Sequence, residues 1–193
     1  MKQIVSVIQQ KGGVGKTSLA VMLGYELKAK HPELSVVIAD ADPQQSAANW
    51  INRGHLNGFS ALEAINVSRG EDGSQHLKKN LSSIEADVVI VDLPPAIESL
   101  SLRAALYSDL MLVPVGASAL DIEAAEPAIG VCKEAQELDE SKSFLIIPAK
   151  VRHSTLAGKE LRTVLEELGP VAATGLGLRQ SFADASMTGE GIG

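Results

Sequence analysis

The stretch Gln10-Lys11-Gly12-Gly13-Val14-Gly15-Lys16-Thr17-Ser18 decides the reading of this chain. A short apolar run, Ile4-Val5-Ser6-Val7-Ile8, precedes it. The segment that follows carries Leu19, Leu23 and Leu27 at four-residue spacing, with Ala20 and Gly24 beside them. Strand, glycine-rich loop and helix form the context in which such a loop wraps phosphate. Glycines let backbone N–H groups turn inward without Cβ clashes, and the helix N-terminus adds its positive end. Lys16 is then placed to reach phosphate oxygens, and the Thr17 hydroxyl to bind Mg²⁺.

Outward from this loop the pattern alternates to the end of the chain. Short Val- and Ile-rich runs at 3–8, 35–39, 87–91, 110–115 and 144–148 predict strands buried on both faces. Helices are predicted over 16–30, 44–53, 73–83, 99–108, 121–138 and 155–168, the first ended by His31-Pro32. The polar, glycine-containing segment 52–72 is left open. Alternation of this kind implies right-handed βαβ units. The expected class is α/β: a doubly wound, mostly parallel sheet flanked by helices, as in P-loop NTPases, in one domain over 1–193.

Composition agrees. The 193 residues are 45% apolar and 21% charged, enough for a core that needs no disulfide or structural metal. Aromatics are only 3%, so Val, Ile, Leu and Ala must fill it. The single cysteine, Cys132, can form neither an intramolecular disulfide nor a cysteine metal site, and reads as a core residue. The first apolar run is too short to span a membrane, and no secretory signal precedes it, so a cytoplasmic location is expected. A net charge of −7 argues against constitutive nucleic-acid binding, though not against a local basic patch.

Two further motifs belong with the loop. Ala39-Asp40-Ala41-Asp42-Pro43-Gln44 puts carboxylates at the end of the second predicted strand, and Val88-Val89-Ile90-Val91-Asp92-Leu93-Pro94-Pro95 puts one at the end of the third. Strand-end aspartates are commonly turn or cap residues. In a doubly wound sheet, however, ligands bind at the carboxyl ends of the strands, where Thr17, Asp42 and Asp92 would converge.

Lys11-Gly-Gly-Val-Gly-Lys-Thr departs from the ordinary P-loop pattern, which has glycine where this chain has Gln10. It resembles the deviant Walker A motif of the ParA/MinD superfamily, and the chain as a whole most resembles its small ParA-type partition ATPases. The resemblance implies an ATP/ADP site at Lys11, Gly12, Gly13, Val14, Gly15, Lys16, Thr17 and Ser18. Lys11 would cross a dimer interface to the partner subunit's nucleotide, acting like an arginine finger. Asp42 would orient the attacking water, Asp40 would help the metal shell, and Asp92 would hold Mg²⁺ through water. Catalysis is thus expected from Lys11, Lys16 and Asp42, and metal binding from Thr17, Asp40, Asp42 and Asp92. Ile146-Ile147-Pro148-Ala149-Lys150 sits where relatives contact adenine, which makes Pro148 and Lys150 candidate base contacts.

The resemblance further implies an ATP-dependent homodimer that holds non-specific DNA, hydrolyses ATP slowly alone, and answers to a ParB-type centromere-binding adaptor. Such a protein is cytoplasmic, nucleoid-associated in its ATP state and free of membranes. Lys150, Arg152, Lys159, Arg162 and Arg179 form the densest basic set and are the candidate DNA contacts; a solvated helix face is the plain alternative. Relatives continue beyond the equivalent of Thr188–Gly193 into a terminal helix, which this sequence is expected to lack. A MinD-like membrane switch shares the motifs but needs a terminal basic amphipathic helix; none stands in this stretch, though a truncation would hide one. An iron-protein-like carrier needs more cysteines than Cys132 alone. A metabolite-dependent P-loop ligase or kinase is the remaining alternative.

Overall fold

Parallel strands, the central ones buried on both faces, build the molecule. A computed structural model describes residues 2–68, 73–95, 98–152, 155–177 and 181–191. In chain order its elements are β1 (Gln3–Val7), α1 (Lys16–Lys30), β2 (Val36–Asp40), α2 (Ser46–Leu56), β3 (Glu63–Asn66), α3 (Gly73–Ser83), β4 (Val88–Asp92), α4 (Glu98–Tyr107), β5 (Leu110–Val115), α5 (Ala119–Glu123), α6 (Glu126–Leu138), β6 (Ser143–Val151), α7 (Leu156–Leu168), β7 (Leu176–Gly177) and α8 (Ser181–Thr188).

The strands lie in the order β3-β2-β4-β1-β5-β6-β7, and every pairing is parallel. Side chains alternate between two cores, as a period of two demands. Val89 and Val91 of β4 join Val37, Ala39, Met111 and Val113 beneath α3, α4 and α6. Ile90 faces the other way and joins Val36, Ile38 and Leu112 against α1 and α2. The connections leaving β1 and β4 therefore pass over opposite faces, α1 on one and α4 on the other. A ligand crevice opens at the carboxyl ends where such connections diverge. Register fixes what stands there: Asp92 is level with Val7 on one side and Asp40 on the other.

Several expectations shift. The helix predicted over 121–138 is two helices. Ser118 caps α5, and Pro127, in the first turn of α6, restarts the chain after Ala125. The helix predicted from 44 begins at Ser46, because Asp42 captures the Gln44 and Gln45 N–H groups and Gln45 is left-handed, φ 53°. The last predicted core strand runs on through Pro148 to Val151. The segment left open contains the edge strand β3. In α1, Leu19 and Gly24 are buried while Leu23 and Leu27 are half-buried against the same core.

The carboxyl-terminal elements are stitched to α1 and α2 by side chains that reach carbonyl oxygens. Tyr25 Oη donates to Gly189 at 2.6 Å, Trp50 Nε1 to Glu190 at 3.2 Å, Arg53 Nε to Ser186 at 2.8 Å and Asn57 Nδ2 to Thr188 at 2.7 Å. Gly54 lets the two backbones meet, since a Cβ there would run into the Gly189 carbonyl. Gly54→Ala should therefore destabilise the fold by about 1–2 kcal/mol, overpacking outweighing the better helix propensity of alanine. Urea unfolding measures this; equal or greater stability in the variant would refute the close approach.

Candidate functional site

The loop between β1 and α1 is shaped by two left-handed glycines, Gly13 at φ 72° and Gly15 at φ 101°. Gly15 occupies the N-cap of α1 and no side chain caps the helix, so its first N–H groups stay available to an anion. Lys16 is buried, and its ammonium donates to the Lys11 carbonyl at 3.1 Å. Burial lowers its pKa, against the pull of Asp92 and Asp42. Around it opens a cavity of about 350 Å³ lined by Gly12, Gly13, Lys16, Thr17, Asp42 and Ser46, among others.

Asp92 is the most constrained group here. It is 1% exposed. Thr17 Oγ1 donates to its Oδ2 at 2.7 Å, while its buried Oδ1 has no hydrogen-bond partner. Desolvation pushes its pKa up to about 7, and the Thr17 hydrogen bond and Lys16 only partly offset that. A buried carboxylate oxygen with nothing to bind is what a hydrated cation would relieve. Among the described residues no three His, Cys, Asp or Glu side chains gather as ligands. An ion held at Thr17 and Asp92 would thus lean on waters and phosphate oxygens, the habit of Mg²⁺ rather than of a metal in an all-protein cage.

The other two aspartates differ. Asp40 is wholly buried, and burial raises its pKa. Its Oδ1 accepts from Asp42 N–H at 3.0 Å and its Oδ2 from Ala48 N–H at 2.9 Å. It therefore braces the turn into α2. Asp42 is half-buried, lines the cavity, and uses Oδ1 to close an Asx turn on Gln44 at 2.8 Å.

A second cavity of about 340 Å³ shares Gly15, Ser18 and Lys150 with the first and is walled by Trp50, Leu176 and Phe182. Its apolar walls beside the phosphate loop suit a nucleobase. Lys150 belongs to both cavities through an irregularity in β6: it is left-handed at φ 54°, and the register to β7 shifts between Ala149 and Val151. A bulge of this kind re-aims a side chain beside a site. Pro148, its companion in the sequence reading, instead lines a separate groove with Arg162 and Thr174. Trp50, Leu176 and Phe182 were not singled out from sequence; the one tryptophan of an aromatic-poor chain was the available signal.

The described members of the basic set have different surroundings. Lys150 borders the phosphate cavity. Arg162 is engaged, with Nε on Glu166 at 2.8 Å and Nη1 on the carbonyls of Ala172 and Ala173 at 3.2 Å. Arg152 is exposed, its carbonyl accepting from Thr155. Arg179 and the Lys159 side chain lie outside the described residues. No described helix is long and apolar enough to cross a membrane.

Comparison with known proteins gives this geometry its relatives. A family described as the CobQ/CobB/MinD/ParA nucleotide binding domain matches residues 5–192. Maintenance of carboxysome distribution protein A of Gloeobacter kilaueensis is 34% identical over 122 residues, 62% of this chain and 52% of the relative. Protein ParA of Rhizobium radiobacter is 32% identical over 142 residues, 72% of this chain and 60% of the relative. The alignments thus span between about half and two-thirds of these relatives. Cobyrinic acid a,c-diamide synthase of Mycobacterium smegmatis, solved with ADP and magnesium, superimposes with a TM-score of 0.74 over 98% of this chain and 91% of its own, at 18% identity.

Two outcomes test the site. The metal-free fold should lose stability as pH rises from about 4 to about 7, because the folded state keeps a proton on Asp92 that the unfolded chain releases in that window. Asp92→Asn should flatten this part of the profile in melts at pH 5 and 8; an unchanged profile would refute the buried-carboxylate account. Trp50 fluorescence should respond to ATP or ADP and not to pyrophosphate, which fills only the phosphate cavity. Equal responses to all three would place the base elsewhere.

Proposed function

Since this chain belongs to the CobQ/CobB/MinD/ParA nucleotide-binding family, we propose that it is an ATP-driven positioning switch of the ParA type. ATP joins two subunits, the pair holds DNA without regard to sequence, and hydrolysis to ADP and phosphate releases it. The observation that carries the ATP chemistry is the cluster of Lys16, Thr17 and Asp92 beneath the glycine loop, with Asp92 Oδ1 unpartnered. The positioning role is supported by relatives whose names speak of carboxysome distribution and of ParA.

Each residue has a part. The N–H groups of the loop and of α1 bind the phosphates. Lys16 places a desolvated positive charge against them, where charge stabilises most. Mg²⁺, held by Thr17 and through water by Asp92, would neutralise phosphate charge. Asp42 lines the same cavity and orients the attacking water. Lys11 contributes from the partner subunit: its side chain turns to Asp121 at 2.6 Å, leaving only its backbone carbonyl to its own Lys16. A ParB-type adaptor carried by the cargo would stimulate turnover, and DNA would be held through exposed cations such as Arg152, with Lys159 and Arg179 as further candidates.

Binding to random-sequence duplex DNA with ATP and Mg²⁺, with ADP, and without nucleotide tests this. Binding should require ATP and be lost in Lys11→Ala. It should weaken on the order of a hundredfold when salt is raised about fourfold, as for roughly four phosphate contacts. Equal binding, or none, in every state would contradict the DNA-tethered switch. ATP turnover that depends strictly on a small metabolite and ignores DNA would favour a ligase instead.

A further inference from the structure

Lys11 is held where it stands by a carboxylate fixed in advance. Asp121, the third residue of α5, completes a capping box with Ser118: its N–H donates to Ser118 Oγ at 3.1 Å, and its Oδ2 accepts from the Ser118 hydroxyl at 2.5 Å and more loosely from the Ser118 N–H at 3.4 Å. The carboxylate lies against Gly116, where a Cβ would collide with Oδ2. With Oδ2 occupied, Oδ1 is left for Lys11 Nζ at 2.6 Å, the two side chains being 23% and 35% exposed. Partial burial works against the charge of Asp121, but hydrogen bonds from Lys11 and Ser118 outweigh it and hold the carboxyl below its ordinary range.

A second tie runs parallel to the first. The Gln9 side chain, 1% exposed, accepts from Lys11 N–H at 3.3 Å and donates to the Pro114 carbonyl at 3.3 Å. Lys11 is thus held by its side chain on Asp121 of α5 and by its backbone on Gln9, which is itself tied to β5. Exposed ion pairs usually contribute little because two flexible side chains must be ordered. Here the acid is ordered beforehand, so only the lysine gives up freedom. Leu120, next to Asp121, is 69% exposed on this surface.

We propose that Asp121 is a positioning residue for Lys11: it retains the ammonium within its own subunit, and the lysine must exchange this carboxylate for a second subunit's nucleotide when two chains pair. The inference rests on the reading of the protein as an ATP-paired switch and adds its restraint. Pairing then carries the cost of breaking the ion pair, and removing the carboxylate favours the dimer.

The test compares the wild-type chain with Asp121→Asn and Ser118→Ala. The acylation rate of Lys11 by an amine-reactive ester, read by peptide mass spectrometry without nucleotide, reports the ion pair. The dimer dissociation constant with Mg²⁺ and a hydrolysis-resistant ATP analogue, read by sedimentation, reports its consequence. Asp121→Asn should acylate about two- to fivefold faster, the span of one exposed ion pair, and, because two such pairs break per dimer, its dimer dissociation constant should fall by about four- to twenty-five-fold. Ser118→Ala weakens the same helix start but keeps the carboxylate, so it should stay nearer wild type in both; thermal melts of the two variants control for folding. Unchanged acylation in Asp121→Asn would overturn the ion pair. Faster acylation with an unchanged or weaker dimer would overturn the restraint while leaving the switch intact. A wild-type chain that stays monomeric with the analogue would overturn the switch and the restraint together.

Discussion

A carboxylate taken out of water at the end of a central strand is the constraint on which the site depends. Asp92 is fixed in register between Val7 and Asp40, so its side chain cannot retreat to solvent without disturbing β4. Thr17 satisfies one oxygen and leaves the other bare. Such a group costs free energy in the empty protein, by desolvation and by the proton it holds. That cost is recovered when a cation and a phosphate chain arrive, which ties binding of the ligand to relief of a strained electrostatic arrangement.

The neighbouring residues divide the remaining work. Asp40 spends its carboxylate on backbone N–H groups and thereby sets the turn that brings Asp42 to the cavity wall. Lys16 is anchored by the Lys11 carbonyl, so the position of Lys11 bears on both charges of the loop. The β6 bulge at Lys150 joins the phosphate cavity to the apolar cavity beside Trp50. The two cavities are therefore joined through backbone geometry as well as proximity.

Much of this was legible in the sequence because central strands and phosphate loops have strong local signatures. The run Val88-Val89-Ile90-Val91 is buried on both faces, so its apolar continuity announces β4 without tertiary information. The limits of α1 are set by Gly15 and by His31-Pro32, both local. Less legible were elements whose identity comes from contacts distant in sequence. β3 is an edge strand, Glu-Ala-Ile-Asn, with only one apolar pair and half of its side chains exposed. α8 is eight residues long, and its hydrogen-bonded contacts to α2 are made across more than a hundred positions. The grip of Asp121 on Lys11 likewise depends on tertiary placement that spacing does not encode.

The Mg²⁺ dependence of ATP affinity, measured by titration calorimetry, tests the central claim most directly. If the bare oxygen of Asp92 and the Thr17 hydroxyl mark a cation site completed by nucleotide, one ATP should bind per chain, about tenfold or more tightly with Mg²⁺ than with chelator, a difference of about 1.4 kcal/mol or more. Equal affinity in the two conditions, or no binding in either, would contradict the account.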